Sequence, residues 1–163
     1  MQRQFTEIYK NIPKQSMPKV SNIRSATKFK QTVMLVDDQP TVLDIHAAII
    51  QTLKMNLNVV KMTDPVEALA WLQNRQVDLI ITDFQMQKMN GRQFVQAIKK
   101  SDPALSHAII VVTVLKDQAL HQELISVGAS ACFTKPVQTQ ALANIAKTLL
   151  DQSKIYYGLG LIN

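Results

Sequence analysis

"LIITDFQMQKMNG", residues 79–91, is the stretch on which the fold turns. Its first four residues are apolar or β-branched without interruption, and the run stops on a single carboxylate, Asp83, before a short polar stretch and Gly91. A strand apolar at every position is buried on both faces, which is the habit of parallel sheets covered by helices. Asp83 then stands at the carboxyl end of such a strand.

Working outward, "TVMLV" (32–36), "NVVKM" (58–62), "VDLIIT" (77–82), "AIIVVTV" (108–114) and "ACFT" (131–134) read as five strands separated by segments of helical period. "DPVE" at 64–67 supplies a helix start, with Asp64 as N-cap, Pro65 at N1 and Glu67 at N3 ahead of Ala68, Leu69 and Leu72. Val42, Ile45, Ile49 and Leu53 recur at helical spacing, as do Leu120, Leu124 and Val127, and then Leu142, Ile145 and Leu149. Each helix is therefore read with one apolar stripe. Right-handed crossovers then restrict the chain to α/β architecture, a doubly wound parallel sheet with helices on both faces.

In such sheets ligands sit outside the carboxyl ends of the strands. Asp37 and Asp38 end the first strand, Asp83 the third, Thr113 lies near the end of the fourth, and Lys135 follows the fifth, before Pro136. Singly, each has a plain structural reading: Asp38 a helix cap, Asp83 an Asx turn, Thr113 a β-former and Lys135 a solvated side chain. Together they share one rim. Two carboxylates about 4 Å apart repel by roughly 4 kcal/mol at an effective dielectric near 20, so three must take up protons or recruit a cation. Oxygen ligands open to water on one side suit Mg²⁺. Lys135 and Thr113 suit the equatorial oxygens of a phosphoryl group, and Asp83, alone at its strand end, is the natural acceptor for an acyl phosphate.

The composition narrows the classes. The chain has 163 residues, 47% hydrophobic, enough for one well-filled core with flanks. The single cysteine, Cys132, excludes an internal disulfide framework and a multi-cysteine zinc site. The net charge of +6 is uneven: residues 1–30 hold seven of the 18 Lys/Arg and one of the 12 Asp/Glu, leaving eleven of each sign in residues 31–163. A neutral body does not advertise nucleic-acid binding by residues 31–163. No apolar stretch approaches the roughly 20 residues of a membrane span, and the protein is read as cytoplasmic.

Over roughly residues 31–150 the sequence resembles the receiver domain of two-component response regulators. "TDFQMQKMNG" is similar to that family's phosphoacceptor, metal-binding loop and glycine, and "TKPV" to its lysine–proline pair, in which the bond before Pro136 would be cis. The resemblance implies a flavodoxin-like sheet of strand order 2-1-3-4-5. It implies that Asp83 is phosphorylated by a histidine kinase or histidine phosphotransfer protein. Mg²⁺ would be held by Asp37, Asp38, Asp83 and the backbone carbonyl of Gln85, with Thr113 and Lys135 on the phosphoryl group. Such a receiver catalyses only its own phosphorylation and dephosphorylation. The alternative is a pseudo-receiver, an interaction module of the same fold that works without phosphorylation. A phosphatase with an aspartyl nucleophile would need an acid at position 85, which is Gln, and a flavin site would need a phosphate loop where "DDQPT" stands.

Three positions depart from the family pattern. Gln87 stands where proline is frequent, Val114 where a small residue is usual, and Cys132 where many relatives place Tyr or Phe. Cysteine is too small for the usual relay from threonine to aromatic ring, so a switch is expected to travel through "VLKDQ" (114–118) and the helix after it. Cys132 itself is read as a small buried hydrophobe.

Residues 1–30 read as a basic arm, with Phe5, Ile8, Tyr9 and Ile12 on one face of a short helix and a flexible tether from Pro13. The helix could dock on its own domain, pair with a second copy to make a homodimer, or lie on a partner. Residues 151–163, ending "IYYGLGLIN", read as a C-terminal tail or the start of a truncated output domain.

Overall fold

The computed structural model describes residues 30–101 and 107–158, the side chains of 154–158 excepted. The expectations for the arm, and for the last residues of the tail, lie outside the described residues. The strands are β1 (Gln31–Val36), β2 (Leu57–Met62), β3 (Leu79–Asp83), β4 (Ala108–Thr113) and β5 (Ala131–Thr134). The helices between and after them are α1 (Pro40–Gln51), α2 (Pro65–Leu72), α3 (Gly91–Ser101), α4 (Gln118–Ser126) and α5 (Thr139–Gly158).

The sheet is five-stranded, of order β2-β1-β3-β4-β5, and every pairing is parallel. Alternation along the strands divides the core in two. Val33, Leu35, Leu79, Ile81, Ile110 and Val112 face α1 and α5, while Met34, Val36, Ile80, Ile109 and Val111 face α2, α3 and α4. These central side chains are at most 1% exposed, and each contributes about 1.5–3 kcal/mol of burial. The continuous apolar runs are thus what a sheet covered on both sides requires. β2 and β5, at the edges, are only half-buried, apart from exposed Asn58 and Lys61.

The start of α2 is as expected: Asp64 is the N-cap, its side chain accepts the Val66 N–H at 2.8 Å, and Pro65 occupies the first turn. The stripes on α1 and α5 are displaced from expectation. α1 buries Leu43, His46, Ala47, Ile49 and Ile50, with Ile45 54% exposed. α5 buries Leu142, Ala143, Ala146 and Leu150, with Ile145 37% exposed. Both helices are apolar over two adjoining faces, and periodicity alone does not say which one the sheet covers. α5 carries the chain past position 150, and the Ser153 hydroxyl donates to Asp78 Oδ1 at 2.6 Å.

Candidate functional site

The carboxyl ends of β1, β3, β4 and β5 converge as the sequence predicts. Asp37 directly follows β1 and is 1% exposed, Asp83 is the last residue of β3 at 5%, and Thr113 ends β4 fully buried. Lys135 directly follows β5, and its N–H donates to the Thr113 carbonyl at 2.6 Å, which binds that strand end to β4. The Lys135–Pro136 peptide bond is cis.

One ammonium serves two acids. Lys135 Nζ lies 2.5 Å from Asp83 Oδ1 and 3.2 Å from Asp37 Oδ2. Burial lowers the lysine's affinity for its proton, but Asp83 and Asp37 outweigh it, and the pKa stands above 10.5. Asp83 moves upward from its ordinary 3.8: burial raises it, the Lys135 contact opposes, and Asp37 adds to the rise. The lysine's rise follows from one cation facing two anions, whereas the rise of Asp83 follows first from its burial.

The backbone organises the carboxylates further. Asp37 Oδ1 accepts the Gln39 N–H at 2.9 Å, and Asp83 Oδ2 accepts the Gln85 N–H at 2.6 Å. The Asx turn read as a plain alternative for Asp83 is therefore present, and it turns the chain into the loop while leaving Oδ1 for Lys135. The plain reading of Asp38 does not hold. Gln39 is the N-cap of α1 without a side-chain cap bond, and Asp38 instead accepts the Gln87 N–H across the rim at 3.3 Å.

Gly91 is required by close approach. A Cβ there would lie 2.8 Å from Phe84 Cα and 2.9 Å from the Asp83 carbonyl oxygen. The Thr113 hydroxyl accepts the Leu115 N–H at 3.1 Å, which couples the site to residues 114–118, and Asp117 caps α4 through Ala119 N–H at 2.8 Å.

The donor set is oxygen throughout, which fits a hard dication that keeps part of its water. Each carboxylate oxygen named has a second lone pair beyond its present bond, and among the described residues half-buried Asp38 accepts one long amide contact. Among the described residues, no three His, Cys, Asp or Glu side chains form a ready-made metal cage.

Sequence reasoning missed His46. It is 5% exposed on α1, beside a cavity of about 480 Å³ whose walls include Val42, Ile45, Val114, Lys135 and Val137. Burial lowers its pKa below 6.5; Asp37 pulls it up and Lys135 pushes it down. Its place in the apolar pattern of α1 was the available signal. Cys132, read as buried, is half-buried: it packs against the core beneath α4, and also lines a groove of about 490 Å³ with Gln118, His121, Gln122 and Ile125. Burial raises its thiol above 9.0.

A family model described as "Response regulator receiver domain" matches residues 33–147. The cyclic di-GMP phosphodiesterase response regulator RpfG of Xanthomonas campestris is 26% identical over 119 residues, 73% of this chain and 32% of its own length. The putative two-component response regulator ARR13 of Arabidopsis thaliana is 34% identical over 128 residues, 77% of this chain and 22% of its own. The chain thus spans a third or less of these relatives. The Vibrio cholerae chemotaxis protein CheY4 superposes with a TM-score of 0.64 at 26% identity, covering 74% of this chain and 99% of that one. Among the described residues no helix is long and apolar enough to cross a membrane. With sheet order, acidic rim, lysine and family match all over the same residues, the chain belongs to the response regulator receiver domain family of two-component systems.

Proposed function

We propose that Asp83 accepts a phosphoryl group from a phosphohistidine on a histidine kinase or histidine phosphotransfer protein. The observation that carries this is Asp83 itself: a carboxylate ending the central strand, 5% exposed, held by one lysine and one backbone amide. An Asp83 carboxylate oxygen attacks phosphorus, the bond to the donor imidazole nitrogen breaks, and an acyl phosphate remains until water hydrolyses it. Asp37, Asp38, Asp83 and the Gln85 carbonyl would hold Mg²⁺, which when bound neutralises charge on the phosphoryl oxygens.

Lys135 leaves its present bridge only in part, keeping Asp37 while turning toward a phosphoryl oxygen. Thr113 donates its hydroxyl hydrogen there, and because its oxygen also accepts the Leu115 N–H, the movement draws on residues 114–118. The output is a change in what the protein binds, a second copy or another effector, in the cytoplasm. Residues 31–150 form the receiver unit in this reading, with 1–30 and 151–163 as its flanks.

Incubation with Mg²⁺ and acetyl phosphate or phosphoramidate, followed by intact mass, tests the proposal. One added phosphoryl group on wild type and none on Asp83→Asn is the expected result. A second reading, the pseudo-receiver, rests on the internal pairing of the rim, where Lys135 already bridges two acids and Asp38 meets the loop. Wild type that binds Mg²⁺ yet gains no phosphoryl group would favour it.

A further inference from the structure

The loop between β3 and α3, residues 84–90, carries the Gln85 carbonyl, and its ends are well anchored. Phe84 N–H donates to the Val112 carbonyl and Gly91 N–H to the Phe84 carbonyl, both at 2.8 Å. Asn90 and Gln93 exchange side-chain-to-backbone bonds at 2.9 and 3.0 Å, starting α3, and Met86 is buried. The tip is different: Gln87 and Lys88 are exposed.

Among the described residues the hydrogen bonds that tie this tip to other elements are two. Gln87 N–H reaches Asp38 Oδ2 at 3.3 Å, and the Lys88 ammonium forms an ion pair with Asp64. Lys88 has a φ of 65°, in the left-handed region that costs an ordinary side chain energy. Met89 N–H closes the turn onto the Gln87 carbonyl at 2.7 Å. Asp64 is fixed independently, because as the N-cap of α2 it accepts the Val66 N–H through Oδ1, leaving Oδ2 for the lysine. Between them lies a cleft of about 280 Å³ that includes Asp38 and Thr63 in its walls.

We propose that the Lys88–Asp64 ion pair is a latch that positions the β3–α3 loop over Asp38 and thereby strengthens binding of a divalent cation at the acidic rim. This rests on the metal reading in the proposed function. A carboxylate fixed by a helix start holds the lysine, the lysine holds a turn of unfavourable φ, and the turn holds the Gln87 amide on Asp38. Without the pair, the turn relaxes, and the loop carbonyl and Asp38 lose their common frame. The hydrogen bond between Lys88 and Asp64 is the largest cause shifting each partner toward its charged form, with the Val66 N–H adding to it at Asp64 and the carboxylate's charge adding to it at Lys88. Lys88 is exposed and Asp64 half-buried, so the pair still meets solvent and the latch is weakened by salt.

The test uses the full chain with Lys88→Gln and Asp64→Asn together. Asn keeps the α2 cap acceptor, and the two changes leave the net charge as it was, so the field at the rim is nearly preserved. Calorimetric titration with Mg²⁺ is expected to give a Kd about threefold weaker than wild type at low salt, the scale of an exposed pair. The gap closes at roughly 1 M KCl, where the Debye length is about 3 Å. Amide exchange at 85–89 becomes faster. If wild type binds Mg²⁺ and the double variant binds it equally, the latch is overturned while the proposed function stands. If wild type binds no Mg²⁺, the metal reading falls first and the latch with it.

Discussion

The Lys135 ammonium lies 2.5 Å from Asp83 Oδ1 across an intervening strand, since β3 and β5 each pair with β4 and not with each other. The contact therefore exists only where the strand ends clear the sheet. It makes the lysine a counter-charge to the candidate phosphoacceptor, and it leaves the acid incompletely compensated because Asp37 shares the same cation.

Asp83→Asn should stabilise the metal-free protein. The folded-state pKa of Asp83 is raised above 3.8, burial being the first cause. For an acid this sign means that ionisation costs stability: the cost is full at neutral pH and is released as pH falls through the folded value. The expected rise in Tm at pH 7 is a few degrees, the scale of about 1 kcal/mol in a domain of this size. A lower Tm for the variant, measured by calorimetry without Mg²⁺, would contradict it.

His46 carries the opposite sign. Its pKa is lowered from 6.5 by burial, so its contribution is fully present above 6.5 and is lost as pH falls through the folded value. His46→Leu should flatten the acid side of the Tm profile below about pH 6.5, relative to wild type. Parallel profiles for the two proteins would show that the imidazole is not held neutral by its surroundings.

Gly91→Ala places a methyl group against backbone, at Phe84 Cα and the Asp83 carbonyl oxygen, neither of which moves without moving the acceptor. A loss of about 1–3 kcal/mol is expected, together with slower labelling from acetyl phosphate. Urea denaturation and the labelling rate measure the two effects separately.

Cys132→Ala should retain phosphorylation and the full phosphorylation-dependent response. The thiol is half-buried and held protonated, and it is smaller than the aromatic side chain many relatives have there. Loss of the response in this variant would mean that the sulfur takes part in the relay, instead of the 114–118 loop.

Much of this was legible from local pattern. The β3 run, buried at all five positions, reads as a strand covered on both faces because both faces demand apolar side chains. "DPVE" reads as a helix start because cap, proline and first-turn acid each act within one turn. The rim residues were legible too, since a strand end is a position in sequence as much as in space. His46 was not, because a histidine on a helix with two adjoining apolar faces is buried or exposed according to which face the sheet takes.

The linear order of residues was sufficient for the βα alternation, the acidic strand ends and the lysine before Pro136, because short-range periodicity and turn chemistry act over a few neighbours. Tertiary packing alone decided that Lys135 bridges Asp83 and Asp37, that Asp38 turns to the Gln87 amide, and that Lys88 reaches Asp64. Those partners stand between 24 and 98 positions apart in the chain. Charge pairing between them depends on distances of a few ångströms, which only the closed sheet and its loops establish.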